Sequence, residues 1–165
     1  MKEAVEDMCD ETSPGFGIDG CSAPNYAVSL SGMARAMARF ASDAGTSARG
    51  KAIIALREAM ITHPEMVAGR GRASTELMQA AKGRVAIKDG AEGFFVAIVP
   101  DLQLGVALKM EDGAGRGSEI AMAAILAKLG VLDPSHPVVA RYLKRPVKNW
   151  DGLLVGEERP AAALS

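Results

Sequence analysis

The chain has 165 residues and a mass of 17.2 kDa, with 48% hydrophobic and 24% charged residues. That is the composition of one globular domain able to bury about 70% of its unfolded surface. Nineteen Lys+Arg against twenty Asp+Glu leave a net charge of −1, which excludes a basic nucleic-acid scaffold or an electrostatic membrane binder. The longest apolar runs, residues 94–99 and 121–127, fall well short of the ~20 residues that cross a bilayer. The acidic opening Met1-Lys-Glu-Ala-Val-Glu-Asp has no apolar core, so neither a signal peptide nor a transit sequence is expected, and the reading is a soluble cytoplasmic protein. Cys9 and Cys21 have no second Cys/His pair beside them, which fits a reducing compartment and excludes a zinc finger.

In chain order, residues 2–10 suit a short helix that starts without a capping residue. The Gly/Pro-rich stretch from Ser13 to Asn25 reads as a loop with an extended piece at 16–18. From Leu30, apolar residues at Leu30, Met33, Ala34, Met37, Phe40 and Ala41 follow the helical period, with Arg35 and Arg39 expected on the outer face. A second helix is expected over 48–62, with Ile53, Leu56 and Met60 on one face, stopping before His63-Pro64. After a Gly/Arg loop at 69–72, a short helix at 75–81 should end at Gly83. The pattern then changes to strands at 84–88, 94–99 and 104–110. Their connections are too short for a crossover helix, so an antiparallel meander is expected and a Rossmann fold is disfavoured. Ser118 is the candidate N-cap of an apolar helix over 119–129. A short helix at 136–143 and a strand at 150–155 complete the chain. The expected organisation is one region over 1–165, with 157–165 as a loose tail.

Few residues invite a chemical reading. The loop Gly113-Ala-Gly-Arg-Gly-Ser is a poor match to a phosphate cradle, because it lacks both the motif spacing and a parallel βαβ context. His63 and His136 each precede a proline and share no ligand spacing. Glu111-Asp112 reads as a solvated turn, and the methionines as core filler. Lys88 ends an apolar strand and is followed by Asp89-Gly90. It is either a surface lysine before a turn or the Lys-x-Gly element that flanks the reactive serine in β-lactamase-type acyl-transfer enzymes. Cys21 follows Asp19-Gly20 in a constrained loop, as a nucleophile, a metal ligand with the carboxylate orienting its partner, or a small buried thiol.

Five segments, read together, carry a resemblance. Gly17-Ile-Asp-Gly-Cys-Ser-Ala-Pro-Asn-Tyr-Ala, the helix Leu30-Ser-Gly-Met-Ala-Arg, His63-Pro-Glu-Met-Val-Ala-Gly, Lys88-Asp-Gly-Ala-Glu-Gly and Leu108-Lys-Met-Glu-Asp-Gly-Ala resemble, in order and spacing, the rhizobial-type L-asparaginase (asparaginase II) family over roughly residues 15–156. The resemblance implies an α/β (α+β) fold of the serine β-lactamase/penicillin-binding-protein type, an antiparallel sheet with packed helices. It also implies hydrolysis of L-asparagine to L-aspartate and ammonia. Lys88 then corresponds to the Lys-x-Gly lysine, Cys21 to a zinc-ligand cysteine and Asp19 to the carboxylate beside it. Family members are about twice as long, and the Ser-x-x-Lys nucleophile motif and the Cys-x-x-Lys segment of their first half are absent from these 165 residues. The expectation is an incomplete fold equivalent to the C-terminal half, holding one of the family's zinc ligands and inactive alone. A separately encoded N-terminal half would complete it, and the resemblance also implies a homodimer, with no nucleic-acid or membrane partner. The rival expectation is a non-catalytic ligand- or partner-binding module that associates through an apolar sheet face left open.

Overall fold

The computed structural model describes residues 1–164. Helix α1 (Lys2–Cys9) has no side-chain cap at its start and is followed by a hairpin of β1 (Phe16–Ile18) and β2 (Pro24–Tyr26). The strand expected at 16–18 therefore has a partner in Pro24–Tyr26, which its proline hides from a pattern search. Helix α2 (Leu30–Ser42) is capped by Ser29, whose hydroxyl accepts from Gly32 N at 2.9 Å. Arg35 and Arg39 are not simply solvated. Both donate to carbonyls at the end of α1, to Cys9 O and to Asp7 O and Met8 O respectively, supplying donors that the helix itself cannot.

Helix α3 (Ala48–Thr62) has the expected bounds, and Ser47 caps it. Of its expected apolar face, Ile53 is buried but Leu56 is exposed. The helix stops before His63-Pro64 as expected, and Pro64 takes the first position of a further short helix, α4 (Pro64–Ala68), where its missing N–H costs nothing. Helix α5 (Ala73–Ala80) leads into β3 (Ala86–Asp89), β4 (Phe94–Val99) and β5 (Leu104–Lys109). These three strands form an antiparallel sheet in the order β3-β4-β5, with Ile87 opposite Ala97 and Ala97 opposite Val106.

Helix α6 (Gly115–Lys128) begins before Ser118. Ser118 is thus not the cap. It is wholly buried in the first turn and returns its hydroxyl to Gly115 O at 2.9 Å. Helix α7 (Pro137–Leu143) is capped by His136, whose Nδ1 accepts from Val138 N at 3.3 Å. The last expected strand is instead a hairpin of β6 (Arg145–Lys148) and β7 (Leu154–Glu158), with Trp150 fully exposed in its turn. A 3-10 turn, Ala162–Leu164, follows, and Lys128 donates to Ala163 O at 3.0 Å.

Strand alternation sorts the sheet into two faces. Ile87, Phe95, Ala97 and Val99 join Leu77, Met122, Leu126, Val131, Val139 and Tyr142 in the main core under α5, α6 and α7. Ala86 and Ile98 pack against Met37 and Phe40 of α2 on the other face. Both faces are therefore covered within this chain, and among the described residues the open apolar sheet face of the rival expectation is not found. Seven of the exposed large apolar side chains lie on the two hairpins, Phe16, Ile18, Val147, Trp150, Leu153, Leu154 and Val155, and others, such as Leu56 and Met66, are scattered over the helices. Among the described residues no helix is long and apolar enough to cross a membrane.

Candidate active site

Lys88 sits at the outer edge of the sheet, near the end of β3, with its side chain half exposed. It pairs with Val96, and Val96 with Ala107, so all three leave the sheet on the face that α2 covers. Its ammonium donates to the carbonyl of Asp89 and lies 3.8 Å from that residue's carboxylate. Asp89 points to the opposite face, where Oδ1 accepts from the wholly buried Ser74 hydroxyl at 2.9 Å and Oδ2 from Arg72 Nη2 at 3.1 Å. Burial alone would raise the Asp89 pKa. The Ser74 and Arg72 hydrogen bonds and the Lys88 charge outweigh it, and the carboxyl is held below its ordinary value.

Asp19 and Cys21 occupy the turn between β1 and β2. Asp19 N donates to Ala23 O at 2.9 Å, Ser22 N returns to Asp19 O at 2.8 Å, and Cys21 N donates to Asp19 Oδ2 at 3.3 Å. Hydrogen bonds to its carboxylate from the Cys21 thiol, foremost, and from the backbone N–H groups of Cys21 and Gly20 lower the Asp19 pKa. Cys21 is a free, exposed thiol and so not a small core residue, whereas Cys9 is buried at the end of α1. Among the described residues no group of three or more His, Cys, Asp or Glu could hold a metal. Cys21 and Asp19 by themselves supply too few ligands to close a zinc site, and no step is derived through a metal.

The hairpin forms one wall of a cleft of about 480 Å³, within the roughly 300–1,000 Å³ range of small-molecule sites. Asp19, Asn25 and Tyr26 line it on the hairpin side, and Ser29, Leu30 and Met33 at the start of α2. Ala91 and Glu92 of the β3–β4 turn and Phe94 and Lys109 of the sheet complete the lining. Phe94 and Lys109 are cross-strand partners on the face from which Lys88 leaves, one row further along the sheet. Among the described residues no hydrogen bond or ion pair joins Lys88 to Asp19 or Cys21, but the cleft brings the Asp19 turn and the turn that follows Lys88-Asp89-Gly90 to one place.

Lys109 and Glu92 are the cleft residues that the sequence reading did not single out. Glu92 and Gly93 both have positive φ, 56° and 70°, in the tight turn between β3 and β4. The Glu92 carbonyl accepts from Lys109 Nζ at 2.7 Å, and that of Met110 from the same ammonium at 2.8 Å. Lys109 gives a signal of the same kind as Lys88, a cation closing an apolar strand. The pairing register that puts it across from Phe94 is a tertiary property, which period-two alternation does not encode.

Among curated proteins none matches this chain. The family model described as L-asparaginase II matches residues 1–160, including α1 and the N-terminal residues that precede the five resembling segments. The chain, a mixed α/β protein with seven α-helices and three small antiparallel sheets among its described residues, belongs to the L-asparaginase II family.

Proposed function

We propose that this chain supplies the lysine side of an amidohydrolase site that converts L-asparagine to L-aspartate and ammonia, and that it does not complete the reaction alone. The observation that carries this reading is the position of Lys88: its side chain leaves the edge strand on the same sheet face as the cleft walled by the Asp19 turn. Amide hydrolysis through an acyl-enzyme needs a hydroxyl held beside a base and a cation near the developing negative charge. Lys88 supplies the cation, and its ammonium is tethered by Asp89 at the mouth of the next turn. No Ser-x-x-Lys segment stands in the 165 residues, so the serine comes from residues outside them, in a separate N-terminal half. Cys21 serves as one thiolate of a zinc whose remaining ligands come from the same source.

A second reading is supported by the covered sheet. Both faces are packed within this chain, and no buried side-chain polar atom among the described residues lacks a hydrogen-bond partner, as suits a self-contained binding module.

The test is ammonia release from L-asparagine by the purified 165-residue chain. The account predicts no release above the buffer rate, while an enzyme-like rate that disappears in Lys88→Met would overturn the dependence on an outside serine and keep Lys88 in the chemistry.

A further inference from the structure

The cleft holds opposite charges on opposite walls. Asp19 belongs to the hairpin and Lys109 to the sheet, and both line the cleft together with Tyr26, Leu30 and Phe94. Lys109 carries three N–H donors. Two are spent on the carbonyls of Glu92 and Met110, which fix the ammonium in place, and no ion pair among the described residues takes the third. Asp19 accepts from Cys21 N through Oδ2, and among the described residues no cation pairs with it. A held ammonium and a carboxylate on residues that line one small cavity, neither with a counter-ion among the described residues, match the α-carboxylate and α-ammonium of a zwitterionic amino acid.

We infer that this cleft binds the α-amino acid end of the substrate, with Lys109 on the α-carboxylate and Asp19 on the α-ammonium. The inference rests on the amidohydrolase reading above for the identity of the amino acid, not for the charge arrangement. Sheet geometry puts the Cα atoms of Lys88 and Lys109 about 12 Å apart on one face, two strands and one row from each other. Two lysine side chains and an asparagine-sized molecule span that distance. With its head group between Asp19 and Lys109, the ligand has its side-chain amide free to extend along the sheet toward Lys88. The cleft thereby selects short α-amino acids that carry both charges, and Lys109 becomes a substrate-binding residue alongside the residues named from the resemblance.

Calorimetric titration of the intact chain with four probes tests this: L-asparagine, succinamic acid, which lacks the α-ammonium, L-aspartic acid diamide, which lacks the α-carboxylate, and glycine. The expected result is binding of L-asparagine, with each of the two singly charged analogues weaker by about tenfold or more, the loss of one charge-assisted hydrogen bond. Lys109→Met is expected to abolish the penalty for the diamide, and Asp19→Asn the penalty for succinamic acid. The analogue series uses unmodified protein, so it decides the matter even if a variant fails to fold. Equal affinity for all three amides, or no binding of any α-amino acid, overturns the inference. If the charge dependence holds but glycine binds as tightly as L-asparagine, the head-group site stands and the amide substrate of the proposed function fails.

Discussion

Asp89 shows how a single side chain is divided between structure and site. Its carboxylate is buried enough to lose solvent, yet it accepts from Ser74 and Arg72 and lies beside the Lys88 ammonium. Its folded pKa is therefore below the ordinary value near 3.9. The sign follows: the stabilisation is complete above the unfolded pKa and is lost as pH falls through the depressed folded value. Asp89→Asn should cost about 1–2 kcal/mol at neutral pH, measured by urea denaturation. The gap between variant and parent should close below about pH 4. A gap that persists unchanged in acid would show that shape, not charge, holds this position. Lys88 and Asp89 were both visible in the sequence as a strand end before glycine. That their side chains serve opposite faces follows from alternation alone, but which face carries the cleft does not.

At the scale of elements, α2 lies on the sheet at one point of close backbone approach. A Cβ built on Gly105 would stand 2.2 Å from Ala34 O and 2.2 Å from Ala38 N, both backbone atoms of α2. No rotamer change relieves such a clash, so Gly105→Ala should destabilise by about 3 kcal/mol, read as a fall in the urea midpoint at constant m-value. A loss under about 0.5 kcal/mol would mean that α2 shifts freely on the sheet, and the cleft wall at Leu30 and Met33 would then not be fixed. The regular elements were legible because their apolar spacing is local: α2, α3 and the meander stand close to where the periodicity puts them. The misses have particular causes. Pro24 and Pro146 conceal strands of isolated hairpins, the five-residue α4 that Pro64 opens is too short to show a helical period, and α6 starts at Gly115, three residues before Ser118.

At the scale of the molecule, the main core, the α2 layer and the two hairpins have different roles. The core of α5, α6, α7 and the inner sheet face fixes β3 and β5. The α2 layer shields the other face up to the cleft, and the first hairpin closes the cleft from outside. Five resembling segments were enough to place the chain in its family, because each carries a local word in the right order. The cleft itself was not legible, since its walls come from residues 19, 92 and 109, which only the fold brings together.

The measurement that tests this account most directly is an NMR titration of the isotope-labelled chain with L-aspartate, which the proposed chemistry releases and does not consume. The account predicts shifts concentrated on the Asp19 turn, Tyr26, residues 88–94 and Lys109, with the α6–α7 core unmoved. Shifts confined to other surfaces, such as the groove between α6 and the C-terminal segment lined by Ala124, Lys128 and Leu143, would contradict it, as would a spectrum that does not change.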